Sequence, residues 1–322
     1  MNLTPDQTDR ARGVLLAAAC GDALGAGYEF GSAPLGDHPE MIGGGLGDFA
    51  PGEWTDDTSQ LYAIALVAAT GADLRTSGAL DDVAAGFLRW YAGNPPDVGI
   101  QTSQILAAAA PTPSAAAMTR HAADHFARTG RAGGNGSLMR TAPVALAHLD
   151  DPRALVEAAT AVSALTHADP QAMQACALWC LAIRESVLSG RLPDLRSLVA
   201  YLPESSHTFW NERITEAEAS EPGRFRPNGW AVAALQAAWS AIVRTPVPDA
   251  GPAGHLVAAL ETAIRIGDDT DTVAAIAGAL LGARWGASAV PGEWRRIVHG
   301  WPGDTADGLV RLAHLAVDPS ER

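Results

Sequence analysis

The chain has 322 residues, 48% of them hydrophobic, enough to bury a sizeable core in one large domain or two smaller ones. Lysine and arginine number 22 against 36 aspartates and glutamates, a formal charge of −14, which argues against a nucleic-acid backbone as the main partner. A phosphorylated small molecule is not excluded, because backbone amides or metal ions can hold phosphate without lysines.

The first element expected is a helix that starts at Thr4-Pro5-Asp6-Gln7, with Thr4 as cap, Pro5 at the first helical position and Gln7 closing a capping box. Apolar residues then recur at helical spacing over Arg12–Ala23, Ser59–Ala69, Leu80–Tyr91, Arg153–Leu165, Pro170–Ser189, Trp230–Val243 and Gly254–Ile266. Gly and Pro mark loops at Gly31–Gly52, Gly93–Gly99, Gly130–Gly136, Pro203–Gly229 and Pro246–Pro252. Strand-like alternation is absent, so an all-α protein with about ten or more helices is expected. No stretch has the length or low complexity of a disordered linker, and no repeat of fixed period occurs, so residues 1–322 are expected to form a single compact helical bundle. No basic-then-apolar leader opens the chain, and apolar runs such as Val273–Ala283 are too short to span a bilayer; a soluble, cytoplasmic monomer is the expectation. Cys176 and Cys180 share a helix face at i,i+4 and read as a buried thiol pair, or alternatively as a disulfide or metal pair; Cys20 stands apart.

Two clusters carry the chemistry. Glu53-Trp54-Thr55-Asp56-Asp57-Thr58 precedes one helix, and Ile266-Gly267-Asp268-Asp269-Thr270-Asp271-Thr272 runs into the apolar segment Val273–Ala283 about two hundred residues later. Crowded carboxylates beside an apolar helix are costly unless a cation neutralises them. Hard Mg²⁺ or Mn²⁺ takes such oxygen ligands, with Thr55 and Thr272 adding hydroxyls, whereas the lack of His and Cys disfavours zinc. Helix capping alone accounts for Asp and Thr at an N-terminus, but both clusters hold more acid than capping needs. Asp56 and Asp57 point about 100° apart on a helix, which suits two ions, or one direct and one supporting role.

The motifs Gly21-Asp22-Ala23-Leu24-Gly25 with Glu29-Phe30, Trp54-Thr55-Asp56-Asp57-Thr58, Gly134-Asn135-Gly136-Ser137-Leu138-Met139-Arg140, Thr166-His167 and Asp269-Thr270-Asp271-Thr272 follow in that order. Together they resemble the ADP-ribosylglycohydrolase family over roughly residues 10 to 290. The resemblance implies an orthogonal all-α bundle with a cleft holding a binuclear Mg²⁺ or Mn²⁺ centre. It puts the metal ligands on Thr55, Asp56, Asp57, Asp269, Asp271 and Thr272. Asp268 departs from the glycine that relatives often carry there, which leaves open whether it backs the ligands or alters metal preference.

The same resemblance implies that Gly134, Asn135, Gly136, Ser137 and Met139 line the ADP-ribose site, the glycine-rich loop holding the diphosphate ahead of a helix in the apolar segment Leu138–Leu146. It makes His167 a wall of that site, while Trp230 either stacks on adenine or packs in the core. Glu29 is implied as an acid/base or water-orienting group, and Asp97 as the carboxylate beside an arginine acceptor, unless Pro96-Asp97 is an ordinary turn. The expected activity is hydrolysis at C1″ of ADP-ribose, with Glu29 or a metal-facing acid such as Asp56 carrying the proton, and ADP-ribose as product. Arginine on a protein is the expected acceptor, with serine, a nucleobase or a small metabolite as alternatives. Two rivals remain at this level: a catalytically silent, metal-dependent ADP-ribose reader, and an all-α pyrophosphatase that would release AMP.

Overall fold

Thr4 opens the first helix as its sequence requires. Its hydroxyl accepts from the Gln7 amide at 3.3 Å, and its own amide donates to the Gln7 side chain at 2.9 Å. A computed structural model describes residues 2–248 and 251–318. Within them the helices are α1 (Pro5–Gly25), α2 (Asp56–Ala69), α3 (Ser77–Ala92), α4 (Ile100–Ala109), α5 (Ala115–Thr129), α6 (Ala142–Ala147), α7 (Pro152–Ala164) and α8 (Pro170–Ser189). They continue as α9 (Leu195–Leu198), α10 (His207–Ala219), α11 (Ala231–Arg244), α12 (Pro252–Ile266), α13 (Thr270–Trp285), α14 (Gly292–Ile297) and α15 (Ala306–Val317). The fold is therefore all-α. No helix of the described residues is long and apolar enough to cross a membrane.

Helices α1 and α13 form the centre. Beyond its polar first two turns α1 is buried on every side, as is α13: every residue from Gly13 to Gly25 and from Thr270 to Ala283 is buried. They touch backbone to backbone. A Cβ on Gly21 would lie 2.2 Å from the Ala274 carbonyl oxygen, one on Gly278 would lie 2.2 Å from that of Ala17, and one on Gly25 would lie 2.5 Å from the Asp271 Cα. Small residues thus bring the C-terminal end of α1 against the N-terminal end of α13, where the acids are.

The structure departs from the sequence reading in four places. The loop expected over Pro203–Gly229 contains α10, whose sparse apolar residues Trp210, Ile214 and Ala217 are nevertheless buried at helical spacing. Helices α4, α5, α14 and α15 were not anticipated. A two-residue hairpin, β1 (His299–Gly300) against β2 (Asp304–Thr305), is too short to show alternation. The glycine-rich loop opens a 3₁₀ turn, Asn135–Ser137, and the regular helix begins only at Ala142, because Pro143 suits its first turn. Residues 249 and 250 of the expected loop Pro246–Pro252 lie outside the described residues. Cys20, Cys176 and Cys180 are buried free thiols.

Candidate active site

The acidic clusters open two helices whose N-termini meet. Thr55 caps α2, so Asp56 and Asp57 occupy its first turn; Asp269 stands at the cap of α13, with Asp271 in the first turn. The Thr55 and Thr272 hydroxyls both donate to Asp57 Oδ2, at 3.2 and 3.3 Å, the second bond joining residues 215 positions apart. Asp57 Oδ1 is buried with no hydrogen-bond partner. Asp22 projects from α1 into the same place, accepting from the Thr55 amide (3.0 Å), the Thr58 amide (3.0 Å) and the Thr58 hydroxyl (2.6 Å). Carboxylate oxygens of Asp22, Asp57 and Asp271 lie within 4.8 Å of one another, as do those of Glu29, Asp269 and Asp271. Asp271 belongs to both groups. Asp56 belongs to neither and accepts from Gln60 Nε2 at 2.9 Å.

These acids resist ionisation. Burial first, then mutual repulsion, raises Asp56, Asp57 and Asp271 well above the usual carboxylate range. Burial lifts Asp22 to about 6 against the opposing hydrogen bonds from Thr58 and Thr55. Glu29 is pushed up to about 9 by burial and then by Asp269, and Asp97 is also raised, chiefly by burial. None of the ion pairs among the described residues reaches any of these groups. A crowded set of hard oxygen donors, one of them buried and unpartnered, with no cation beside it fits a divalent metal. Capping does not explain it, since Asp269 makes no side-chain cap bond and instead accepts from Asn135 Nδ2 at 2.7 Å.

Asp268 turns away from the other acids. It adopts φ +60°, pairs outward with Arg226 at 2.7 Å, and accepts the Phe30 amide on its carbonyl oxygen at 2.7 Å. That last bond ties down the kinked 3₁₀ segment Ala26–Gly31, from which Glu29 reaches the cleft.

A cleft of about 310 Å³ lies over the acids, lined by Glu29, Asp56, Asp57, Asp97, Gly134, Asn135, Gly136, Met139, His167, Asp269, Asp271 and Thr272 among others. Thr55 sits behind this surface, bonded to Asp57. The Ser137 side chain is not in the cleft: it is buried, with its hydroxyl engaged by Ser163 at 2.9 Å and Cys176 at 3.4 Å. Trp230 is 40% exposed rather than core-packed, pairs through its backbone with Gly134, and lies beside the cleft lining rather than in it.

Behind the cleft runs a chain of directed hydrogen bonds. Arg140 is fully buried over the Phe87 ring (4.2 Å) and donates to Gln60 Oε1 and, at 2.6 Å, to Thr166 Oγ1. An arginine only donates. Thr166 Oγ1 accepts from Arg140 and lies 2.7 Å from His167 Nδ1, a contact in which the hydroxyl can donate or accept. When the hydroxyl donates, the His167 proton sits on Nε2, the ring edge beside Gly134 and Gly136. Burial, with Arg140 next, lowers the His167 pKa to about 3, so the ring is a neutral donor. On the other arm Gln60, accepting from Arg140, turns its amide N–H toward Asp56.

Sequence reasoning assigned no role to Asp22, Gln60, Arg140 or Asn228. The signal for Asp22, Gln60 and Arg140 was a polar side chain within an apolar stretch. Asn228 offered none, although its side chain accepts the Asp269 amide at 3.1 Å and donates to the Gly267 carbonyl at 3.0 Å, bracing the loop before α13.

The chain is similar to known proteins over nearly its whole length. The ADP-ribosylglycohydrolase family pattern matches residues 3–321. An ADP-ribosylarginine hydrolase Tri1 of Pseudomonas putida (strain GB-1) is 29% identical over 313 residues, covering 91% of this chain and 75% of the relative. An ADP-ribosyl-[dinitrogen reductase] glycohydrolase of Rhodospirillum rubrum is 28% identical over 298 residues, covering 90% of each. A solved ADP-ribosylglycohydrolase-related protein complex superimposes with a TM-score of 0.70 at 28% identity, over 98% of this chain and 99% of the other. The chain therefore belongs to the ADP-ribosylglycohydrolase family of hydrolases.

Proposed function

We propose that this protein is a metal-dependent ADP-ribosyl hydrolase, a single unit that cleaves the glycosidic bond at C1″ of ADP-ribose to release arginine on a protein. The observation that carries the reading is the convergence of Asp22, Asp57 and Asp271, and of Glu29, Asp269 and Asp271, at two helix N-termini where no lysine or arginine among the described residues pairs with them, Asp268 apart. Thr55, Asp56, Asp57, Asp269, Asp271 and Thr272 would hold two Mg²⁺ or Mn²⁺ ions, with Asp22 close behind Asp57. When bound, such ions supply Lewis acidity and a fixed seat for ribose hydroxyls.

The chain's own groups account for the rest. Gly134 and Gly136 offer backbone amides to the diphosphate, the Asn135 amide being taken by the Gly229 carbonyl, and His167 presents Nε2 at that edge with Nδ1 held by Thr166. Trp230, exposed beside Gly133, provides a face for adenine. Asp97 meets the cationic leaving group, and Glu29 carries a proton between water and the scissile bond. The names of the relatives, which concern arginine-linked and protein-linked ADP-ribose, support arginine as acceptor.

The test is a panel of ADP-ribosylated arginine and serine peptides assayed with Mn²⁺, beside Asp56→Ala and Asp271→Ala. Turnover of the arginine conjugate is expected to fall about 100-fold or more in both variants, with Mn²⁺ binding weakened in calorimetry. Unchanged turnover in both variants would sink the metal assignment.

A further inference from the structure

A second cavity, of about 390 Å³, meets the nucleotide cleft only at Asp56 and Asp97. Trp54, Trp90, Trp301 and Phe49 contribute to its apolar wall, and Glu53 joins Asp56 and Asp97 as carboxylates; His299 also lines it, but no Lys or Arg does. The wall is prebuilt. The Trp54 amide donates to the His299 carbonyl at 2.9 Å and its indole Nε1 to the Trp301 carbonyl at 3.2 Å, so the β1–β2 hairpin is fastened to the start of α2. Gly300 lies so close to the Trp54 ring that a Cβ would come within 2.5 Å of it. Tyr62 packs edge-on against Trp301 at 6.2 Å and donates to Asp304 at 2.5 Å.

Aromatic faces with carboxylates and no lysine or arginine to compete make a receptor for a delocalised cation. The same field repels a diphosphate. The geometry points to this cavity as the acceptor subsite: it takes the guanidinium and flanking peptide of the ADP-ribosylated arginine. C1″ then lies at the Asp56–Asp97 boundary and the nucleotide in the first cleft. This rests on the hydrolase reading above and extends it by giving the substrate a direction. A serine acceptor, neutral and short, leaves both the aromatic wall and Glu53 unused.

The decisive experiment uses the Mn²⁺-loaded protein and two variants outside the metal set, Glu53→Arg and Trp301→Ala. Two quantities are measured for each: the KM for an ADP-ribosylarginine peptide, and the inhibition constant of free ADP-ribose. Both variants are expected to raise the KM about tenfold or more while the ADP-ribose constant stays within about twofold, which also shows that they fold. An unchanged KM in both variants overturns the subsite, as does an ADP-ribose constant that weakens in step with KM. A wild-type protein that cleaves no ADP-ribosyl conjugate overturns the hydrolase reading itself and the subsite with it, an outcome distinct from loss of acceptor discrimination alone.

Discussion

Arg140 shows how a buried charge works at the scale of one residue. Its two donated bonds turn the Gln60 amide so that it must donate to Asp56, and leave the Thr166 hydroxyl proton available to His167 Nδ1. Nitrogen NMR of imidazole-labelled protein is expected to show His167 as the Nε2–H tautomer. Thr166→Val should give a mixture of tautomers and a KM several-fold to tenfold higher, the loss of about one hydrogen bond. A wild-type Nδ1–H tautomer would contradict the direction of the chain. The acids make a second residue-scale prediction. Glu29, raised to about 9 from 4.5, binds a proton in the folded state that the unfolded chain has released over most of that interval. Its stabilisation is complete below the unfolded value and is lost as pH rises through the folded one. His167, lowered from 6.5 to about 3, acts in the opposite sense but only below 6.5. Between pH 6.5 and 9, then, the metal-free protein should lose thermal stability as pH rises, and saturating Mn²⁺ should flatten or reverse the slope. A metal-free melting midpoint that climbs across that window would rule this out.

At the scale of elements, the contact between α1 and α13 decides where Asp22 and Asp271 stand. Gly25→Ala would force a methyl to 2.5 Å from the Asp271 Cα, and is expected to cost about 1–3 kcal/mol and to weaken Mn²⁺ binding about tenfold. Gly78→Ala, in the first turn of α3 with open space around it, should be neutral or slightly stabilising. Equal melting midpoints for the two variants would show that the close approach is not needed. Elements with dense apolar spacing were legible in the sequence: Pro170–Ser189 matches α8 end to end, and the capping box at Thr4 forms as read. Helix α10 was not, because polar residues surround its three buried side chains, and helical spacing is hard to see in so sparse a pattern. The β1–β2 hairpin escapes for a different reason, being shorter than one period of a strand pattern that could be recognised.

At the scale of the whole molecule, folding joins acids that the sequence keeps far apart. The residue types at positions 55–57 and 269–272 announced crowded oxygen donors, and the two helix starts do meet. Which oxygens converge was not legible. Asp22 enters from the interior of α1, Asp56 turns to Gln60, and Asp268 turns away to Arg226. Those outcomes depend on helix crossing and loop bracing, which residue spacing alone does not encode. The second cavity is likewise a product of assembly, since its wall draws on residues from Phe49 to Gly303. The most direct test of the central claim is product analysis after incubating the protein with an ADP-ribosylarginine peptide, with Mn²⁺ or with a chelator. Free ADP-ribose and unmodified peptide should appear with Mn²⁺ and be suppressed about 100-fold or more by the chelator. Release of AMP, or ADP-ribose formed equally well in chelator, would contradict it.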